Sequence, residues 1–250
     1  MGYDDAVSSV PPIDHGAGRT VGAVAVGLAH TCAVLDDGSV RCWGDGAGGQ
    51  HGLGTAEDIG DDETPASVPP VDLGPGRTAV AVAAGYLHTC AVLDVGSVRC
   101  WGGGQDGLLG DGVGGGDGVI GDDETPASLP PVDLGPGRTA VAIGAGGWHT
   151  CAVLDDGSLR CWGLNDKGQL GYGTTATIGD DERPGSRGPV ELGAGRTAVA
   201  VDGGQHHTCA VLDDGSVRCW GQGASGILGY GNLDDIGDDE TPGSVGPVDL

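Results

Sequence analysis

Eight cysteines occur in the sequence as four pairs, and each pair combines the spacing Cys-x9-Cys with a histidine two residues before its first cysteine. Cysteine and histidine side chains can ligate zinc, and two cysteines can instead form a disulfide. Structural zinc sites usually contain a close Cys-x2-4-Cys knuckle, which this spacing lacks. The spacing therefore favours disulfides and leaves zinc as the less favoured alternative. The pairs are Cys32 with Cys42, Cys90 with Cys100, Cys151 with Cys161, and Cys209 with Cys219.

The acidic string Asp-Asp-Glu also occurs four times, each time after a glycine-rich loop. Calcium selects several oxygen ligands in flexible loops, so these carboxylates are candidate calcium ligands. The strings lack the Asp-x-Asp-x-Asp-Gly spacing of a calcium loop, and the proline that follows each string also suits a solvated turn. Both interpretations stay open, and no cofactor other than calcium is expected. The strings are Asp61, Asp62 and Glu63; Asp122, Asp123 and Glu124; Asp180, Asp181 and Glu182; and Asp238, Asp239 and Glu240.

No arrangement of residues in the sequence predicts catalysis. A Ser-His-Asp arrangement, a phosphate loop and a dinucleotide fingerprint are all absent. Paired carboxylates could serve glycoside hydrolysis. Every acidic pair is repeated in each copy, however, whereas an active site is usually a single asymmetric constellation. We therefore expect no enzyme and no catalytic residue, and sugar hydrolysis is a disfavoured alternative.

Short strands position these residues in four tandem copies. In the second copy, strand patterns cover 78–83, 88–93 and 97–101, and no segment carries a helical period. A fourth strand is plausible at 68–73, where two prolines confine it to a sheet edge. The sequence therefore predicts an all-β fold of four tandem blades, each with four short antiparallel strands. The string His-Thr-Cys-Ala-Val-Leu marks the copies and begins at His30, His88, His149 and His207.

The two cysteines of a pair lie on one predicted hairpin. Leu35 and Ser39 flank Asp36-Asp37-Gly38, which fits a three-residue loop with glycine in the left-handed position. That loop aligns Cys32 with Cys42 at a non-hydrogen-bonded pair, where the Cα atoms approach most closely. The register suits a disulfide. The repeated histidine is then expected to be a structural hydrogen-bonding residue at the strand start.

The charge of the chain excludes one class of partner. The chain has 36 acidic and 11 basic residues and a formal net charge of −25. Nucleic-acid affinity rests largely on Lys and Arg side chains that neutralise phosphates, so no nucleic acid is expected as a partner.

No run of 18 apolar residues is present, so membrane insertion is not expected. The first residues do not form a basic, apolar signal peptide, although disulfides would need an oxidising compartment.

The motifs resemble those of a known repeat family. The third copy, residues 146–173, reads Gly-x-x-His-Thr-x-Ala-Val, then Asp-Gly-x-Leu-x-x-Trp-Gly, then Gly-Gln-Leu-Gly-x-Gly. This pattern is similar to the regulator of chromosome condensation repeats, a resemblance that covers essentially the whole chain and implies a β-propeller, usually of seven blades. The family's founder is a chromatin-bound nucleotide exchange factor. Its basic surface is missing from this acidic chain, so exchange-factor-like activity is disfavoured and no such residue is carried over.

The chain also departs from that family pattern in its cysteines and its copy number. The paired cysteines resemble the two-cysteine repeats common in secreted bacterial proteins, which implies an extracellular or cell-surface location. Four copies fall short of seven, so we expect an incomplete ring, part of a larger propeller with further repeats, or a homo-oligomer. The single array 1–250 divides into approximate blades 20–77, 78–138, 139–196 and 197–250, with 1–19 a partial repeat.

Sequence variation among the copies is concentrated at one end of the predicted hairpin. The Asp-Asp-Gly-Ser turn is almost uniform, whereas the residues before the repeated histidine and after Trp-Gly differ between copies. Loops on a rigid scaffold often form binding sites, and aromatic residues favour interfaces. We predict a non-enzymatic module that binds a protein or glycan there, with a self-assembling structural repeat as the alternative. The candidate partner-binding residues are His51, Tyr86, Leu87, Trp148, Gln205 and His206.

Overall fold

The computed structural model describes residues 11–113 and 118–250, so residues 1–10 of the predicted partial repeat lie outside the described residues. The described chain contains β-strands and no α-helix, which confirms the all-β prediction. Its helices are single turns in the loops, and none of those within the described ranges is long or apolar enough to cross a membrane. These 3-10 turns are Gln105–Gly107, Pro126–Ser128, Pro184–Ser186, Ala224–Gly226 and Pro242–Ser244.

Four antiparallel sheets follow one another along the chain, one in each blade. The first strand of each blade, which we call the inner strand, pairs with the second strand. The second strand in turn forms a hairpin with the third. The strands are β1 (Val21–Val26), β2 (His30–Leu35) and β3 (Val40–Gly44) in the first blade; β4 (Ala79–Ala84), β5 (His88–Leu93), β6 (Val98–Gly103) and β7 (Val119–Ile120) in the second; β8 (Ala140–Ala145), β9 (His149–Leu154) and β10 (Leu159–Gly163) in the third; and β11 (Ala198–Gly203), β12 (His207–Leu212) and β13 (Val217–Gly221) in the fourth.

The outermost strand differs from the prediction. Residues 68–73 do not form a strand; a fourth strand, β7, is present only in the second blade, and single bridges such as Gly44 with Ile59 take its place elsewhere. The two prolines at 69–70 have no N–H to donate, so Val71 supplies a single ladder bond, to Val40 O at 2.9 Å. The guanidinium of Arg41, on β3, donates to the backbone carbonyls of Pro65 and Val68 and so holds the start of this segment against the sheet.

The predicted hairpin register is confirmed in every blade. Gly38 adopts a φ of +75° and its N–H donates to Leu35 O at 2.9 Å, as expected for glycine in the left-handed position. Cys32 lies directly opposite Cys42, with a Cα–Cα distance of 4.1 Å and a disulfide between them. The other three pairs form the same disulfide, and no cysteine is free.

The blades pack side by side around their inner strands. Strand β1 contacts β4, β4 contacts β8, and β8 contacts β11. Disulfides, valines and a tryptophan from neighbouring sheets form the core between blades. Within the described ranges, β11 makes no packing of comparable extent with β1, so the blades form an open arc.

Candidate functional site

The uniform end of each blade is occupied by contacts between blades. Ala79 N, at the start of β4, donates to Gly38 O in the turn of the preceding blade at 2.8 Å. A Cβ on Gly38 would come within 2.6 Å of the Thr78 side chain, so only glycine fits this approach. The same bond recurs at the next two junctions, from Ala140 N to Gly96 O and from Ala198 N to Gly157 O. This end is therefore structural.

The variable loops form a continuous edge at the opposite end, which we call the variable rim: residues 28–29, 86–87, 147–148 and 205–206. Backbone hydrogen bonds join these loops across blades. Leu28 N donates to Gly85 O at 3.3 Å, and Tyr86 N donates to Gly147 O at 2.9 Å. Gly147 N in turn donates to Gly204 O at 3.0 Å. The rim is thus held rigidly although its side chains differ.

Two predicted partner-binding residues from different blades meet on this rim. The rings of Tyr86 and Trp148 lie 5.6 Å apart, centroid to centroid, with an interplanar angle of 75°. This edge-to-face arrangement stabilises an aromatic pair beyond the area that it buries. Both side chains remain partly exposed. The pair therefore offers a fixed aromatic surface to solvent.

The rim borders a concavity of about 670 Å³ on the inner side of the arc. The inner strands line it with valines, alanines and glycines, and Leu28, Tyr86 and Gln205 stand at its mouth. Among the described lining residues, Asp202 of β11 carries the only charge. The same repeat position holds Ala25, Ala83 and Gly144 in the other blades. The sequence analysis missed Asp202. It could have been found, because the other three copies have alanine or glycine at this position.

The remaining predicted rim residues have different surroundings. Leu87 is half-buried and Gln205 is exposed. His206 Nδ1 lies 3.8 Å from a carboxylate oxygen of Asp166, in the loop after Trp-Gly of the preceding blade. His51 is fully buried, and burial lowers the pKa of its imidazole. His51 therefore offers no exposed side chain to a partner in this structure.

The repeated histidines form hydrogen bonds between blades. His30 Nε2 and Thr89 Oγ1 lie 2.8 Å apart, and the Thr89 hydroxyl donates to Gln50 O at 3.0 Å. Because that hydroxyl proton is used, the His30 Nε2–H must donate to Thr89. Burial lowers the pKa of His30 to about 4. The histidine is therefore a neutral structural donor, as predicted, and the same bond joins His88 to Thr150 and His149 to Thr208.

The acidic strings fold into tight turns. Glu63 accepts from Gly60 N at 3.0 Å, and Asp61 accepts from Asp62 N at 2.9 Å. The neighbouring carboxylates raise the pKa of Glu63, mainly through Asp62. In each of the four strings, one oxygen from every member lies within 4.8 Å of the others, so the donor set has the chemistry that calcium prefers. Calcium binding stays a prediction, measurable as a rise in Tm on adding calcium at constant ionic strength.

Comparison with known proteins agrees with the motifs and the fold. The regulator of chromosome condensation (RCC1) repeat matches the chain at residues 23–53, 79–108, 140–169 and 198–227, and a second description of that repeat matches 156–211. The chain belongs to the RCC1 repeat family. Each of the four matches of the first description begins within or at the start of an inner strand and includes the hairpin that follows it.

Three known proteins illustrate what the chain is similar to. The ultraviolet-B receptor UVR8 of Arabidopsis thaliana is 32% identical over 235 residues, which are 92% of this chain and 48% of UVR8. Yeast RCC1 (Prp20), in a crystal structure bound to Kap60, superposes with a TM-score of 0.69 at 20% identity, covering 95% of this chain and 50% of that one. Human WBSCR16 gives a TM-score of 0.70 at 22% identity, covering 92% and 53%. The chain therefore has an RCC1-type propeller fold and spans about half the length of these proteins.

Proposed function

We propose that this RCC1-repeat protein is a non-catalytic binding module that holds a basic segment of a protein partner at the variable rim. One observation carries the proposal: the Tyr86–Trp148 pair stands beside a concavity whose only described charged lining residue is Asp202. An aromatic pair beside a single carboxylate matches a lysine or arginine side chain, whose stem is apolar and whose tip is cationic.

Each part of the proposed site would contribute a different interaction. The cation can lie over an exposed aromatic face, a contact that contributes roughly 0.5–2 kcal/mol. Asp202 would then pair with the charged tip. The net charge of −25 would accelerate encounter with a basic partner and repel acidic ones. Together these terms favour a basic protein segment over a neutral or anionic ligand.

A glycan is less favoured as the ligand. Sugars present many hydroxyl groups, which need several polar side chains in a specific site. The described lining of the concavity supplies only Tyr86, Asp202 and Gln205 as polar side chains. The related Prp20 was solved in complex with another protein, Kap60, which also supports a protein partner.

The proposed location is the cell surface or the extracellular medium. Four disulfides are compatible with an oxidising compartment, because cytosolic thiols are normally kept reduced. A disulfide in every blade would also stabilise the propeller where no chaperone is available.

Synthetic peptides test this proposal directly. A lysine- and arginine-rich peptide and a glutamate-rich peptide of equal length are titrated against the chain, with tryptophan fluorescence and calorimetry as readouts. We expect the basic peptide alone to bind, and its affinity to fall as salt increases. Trp148→Ala and Asp202→Asn should each weaken binding about tenfold, which corresponds to roughly 1.4 kcal/mol.

Val95→Ala is the matched control. Val95 is exposed on the uniform turn of the second blade, at the opposite end from the rim, and its truncation should leave binding unchanged. Equal binding of both peptides, or basic-peptide binding that survives both rim substitutions, would contradict the proposal. So would binding of neutral oligosaccharides in place of peptides.

A further inference from the structure

An aromatic ring of the second blade lies over a glycine of the third blade on the variable rim. The repeat position that holds Tyr86 in the second blade holds Gly147 in the third. A Cβ on Gly147 would lie 3.2 Å from Cε2 and Cζ of Tyr86, which belong to the hydroxyl-bearing half of the phenol ring. Gly147 is buried, although it belongs to a rim loop. The absence of a side chain at this position therefore lets the ring of Tyr86 reach across the junction between the two blades.

A carbonyl oxygen of the fourth blade lies beside the same ring. A Cβ on Gly147 would be 3.1 Å from Gln205 O, so this oxygen and the ring of Tyr86 approach one point from two different blades. Among the described residues no donor bonds Gln205 O, because the neighbouring Gly147 N donates to Gly204 O at 3.0 Å. Gln205 O is thus an acceptor that a ligand beside the ring can use.

The carboxylate of Asp202 adds a negative charge on the fourth blade. Asp202 is exposed, and its Oδ1 accepts from Gly203 N at 2.9 Å. That bond holds the carboxylate in place and leaves Oδ2 for a ligand. Asp202, Gln205 and Tyr86 all line the concavity described above. The ring, the carbonyl oxygen and the carboxylate therefore border one space.

Trp148 completes the aromatic part of this arrangement. Its ring and that of Tyr86 meet edge to face, with an interplanar angle of 75°. In such a pair, the ring that presents its edge has neither of its faces covered by its partner. Both side chains are also partly exposed. A flat aromatic face therefore remains for a ligand.

We propose that these groups form a guanidinium subsite, which selects arginine over lysine in the basic segment that the chain binds. The selection rests on the proposed function, because it concerns the same place on the rim. The guanidinium plane stacks on the aromatic face, and its N–H groups donate to Gln205 O and to Oδ2 of Asp202. The guanidinium subsite consists of Tyr86, Gly147, Trp148, Asp202 and Gln205.

Arginine suits this set of groups better than lysine does. A guanidinium is planar and presents five N–H donors in a fixed fork, so it can stack on a ring and still bond acceptors beside it. A lysine ammonium is a compact charge that holds its water more strongly. An aromatic face has no lone pair in the plane of a carbonyl or carboxylate oxygen with which to replace that water. Arginine should therefore gain more than lysine from the same contact.

Two peptides of equal length and charge test the proposal, one with arginine and one with lysine at every basic position. Calorimetry measures both affinities at several salt concentrations. We expect the arginine peptide to bind about tenfold more tightly. Both affinities should fall as salt increases, because the peptides carry the same charge, whereas the ratio of the two affinities should persist.

The two proposals fail in different ways in this experiment. Equal affinities for the two peptides would overturn the selection of arginine and leave the proposed function standing. Binding of neither peptide would contradict the proposed function and the guanidinium subsite together.

Gly147→Val tests the position of the ring. The new side chain would occupy the space over which Tyr86 lies, so the ring must move, and the arginine-to-lysine affinity ratio should fall close to one. The φ of Gly147 lies outside the left-handed region, so the backbone accepts valine. Gly188→Val is the matched control, because a Cβ on Gly188 would meet no atom within 4 Å. The control should keep the tenfold ratio.

Tyr86→Leu tests the ring itself, because it removes the aromatic face and keeps an apolar side chain. The arginine peptide should lose about tenfold in affinity and the lysine peptide less, so the ratio should again approach one. Circular dichroism and the absence of free thiols check that each variant is folded. A preference for arginine that survives Tyr86→Leu, or one that Gly188→Val abolishes, would overturn the proposal.

Discussion

At the junction between the second and third blades, Trp162 is fully buried and its Nε1 donates to Leu108 O at 3.1 Å. In the first blade the equivalent Trp43 is only half-buried, and its described aromatic neighbour is the ring of His15, 6.0 Å away. Both residues stand in the same Arg-Cys-Trp-Gly string. The neighbouring blade, and not the local sequence, therefore decides how much a repeated residue contributes. This behaviour is expected when stability is divided between single repeats and their interfaces.

The largest effect on stability is expected when each of these two tryptophans is replaced by alanine. Trp162→Ala should lower the free energy of unfolding by about 3–5 kcal/mol, because it removes a fully buried ring and leaves a cavity. Trp43→Ala should cost clearly less, since Trp43 is already partly exposed. Urea unfolding of both variants measures the difference. Equal costs would contradict the assignment of burial to the neighbouring blade.

A smaller effect is expected from the threonines that accept the histidine bonds. Thr150→Val should cost about 1–3 kcal/mol, because the buried His88 Nε2 would lose its hydrogen-bond partner. Thr31→Val should be nearly neutral in the monomer, since no described histidine donates to Thr31. Thermal melts at low protein concentration compare the two. A cost for Thr31→Val equal to that for Thr150→Val would count against the comparison.

The histidines predict a dependence of stability on pH. Burial, with nearby histidines, lowers the pKa of His149 to about 3, against an ordinary value of 6.5. Between these values the unfolded chain binds more protons than the folded chain, so stability falls as pH drops below 6.5. The loss approaches about 1.4 kcal/mol per pH unit for each such histidine. His149→Gln should reduce this slope in urea titrations at several pH values. His207→Gln should reduce it less, because His207 is only partly buried.

The smallest expected difference concerns the rate of disulfide reduction. Cys209 is partly exposed in the fourth blade, whereas Cys151 is buried at the junction between the third and fourth blades. A thiolate must reach a sulfur atom to attack it, so Cys209–Cys219 should be reduced about tenfold faster than Cys151–Cys161. Mass spectrometry after alkylation at timed intervals measures both rates. Equal rates under native conditions would show that access does not differ.

The sequence was sufficient for features set by local geometry. A three-residue turn with glycine at its last position determines which residues pair, so the position of Cys32 opposite Cys42 followed from the turn alone. Residues 68–73 were predicted as an edge strand, but their two prolines remove the donors that a strand needs.

Features that depend on packing between blades could not be predicted from short sequence motifs. The burial of His51 depends on how its loop turns against the sheet, which no short motif specifies. The meeting of Tyr86 with Trp148 required the angle between two blades. Asp202 was different, because comparison of the four copies at that single position would have revealed it.

The disulfides have a consequence for how the chain would be oxidised. Eight cysteines allow 105 different sets of four pairings, yet every observed partner lies only ten residues away on the same hairpin. Closing a short loop costs less entropy than joining blades across dozens of residues. Each hairpin can therefore acquire its bond independently of the other blades, and correct oxidation should depend little on a disulfide isomerase.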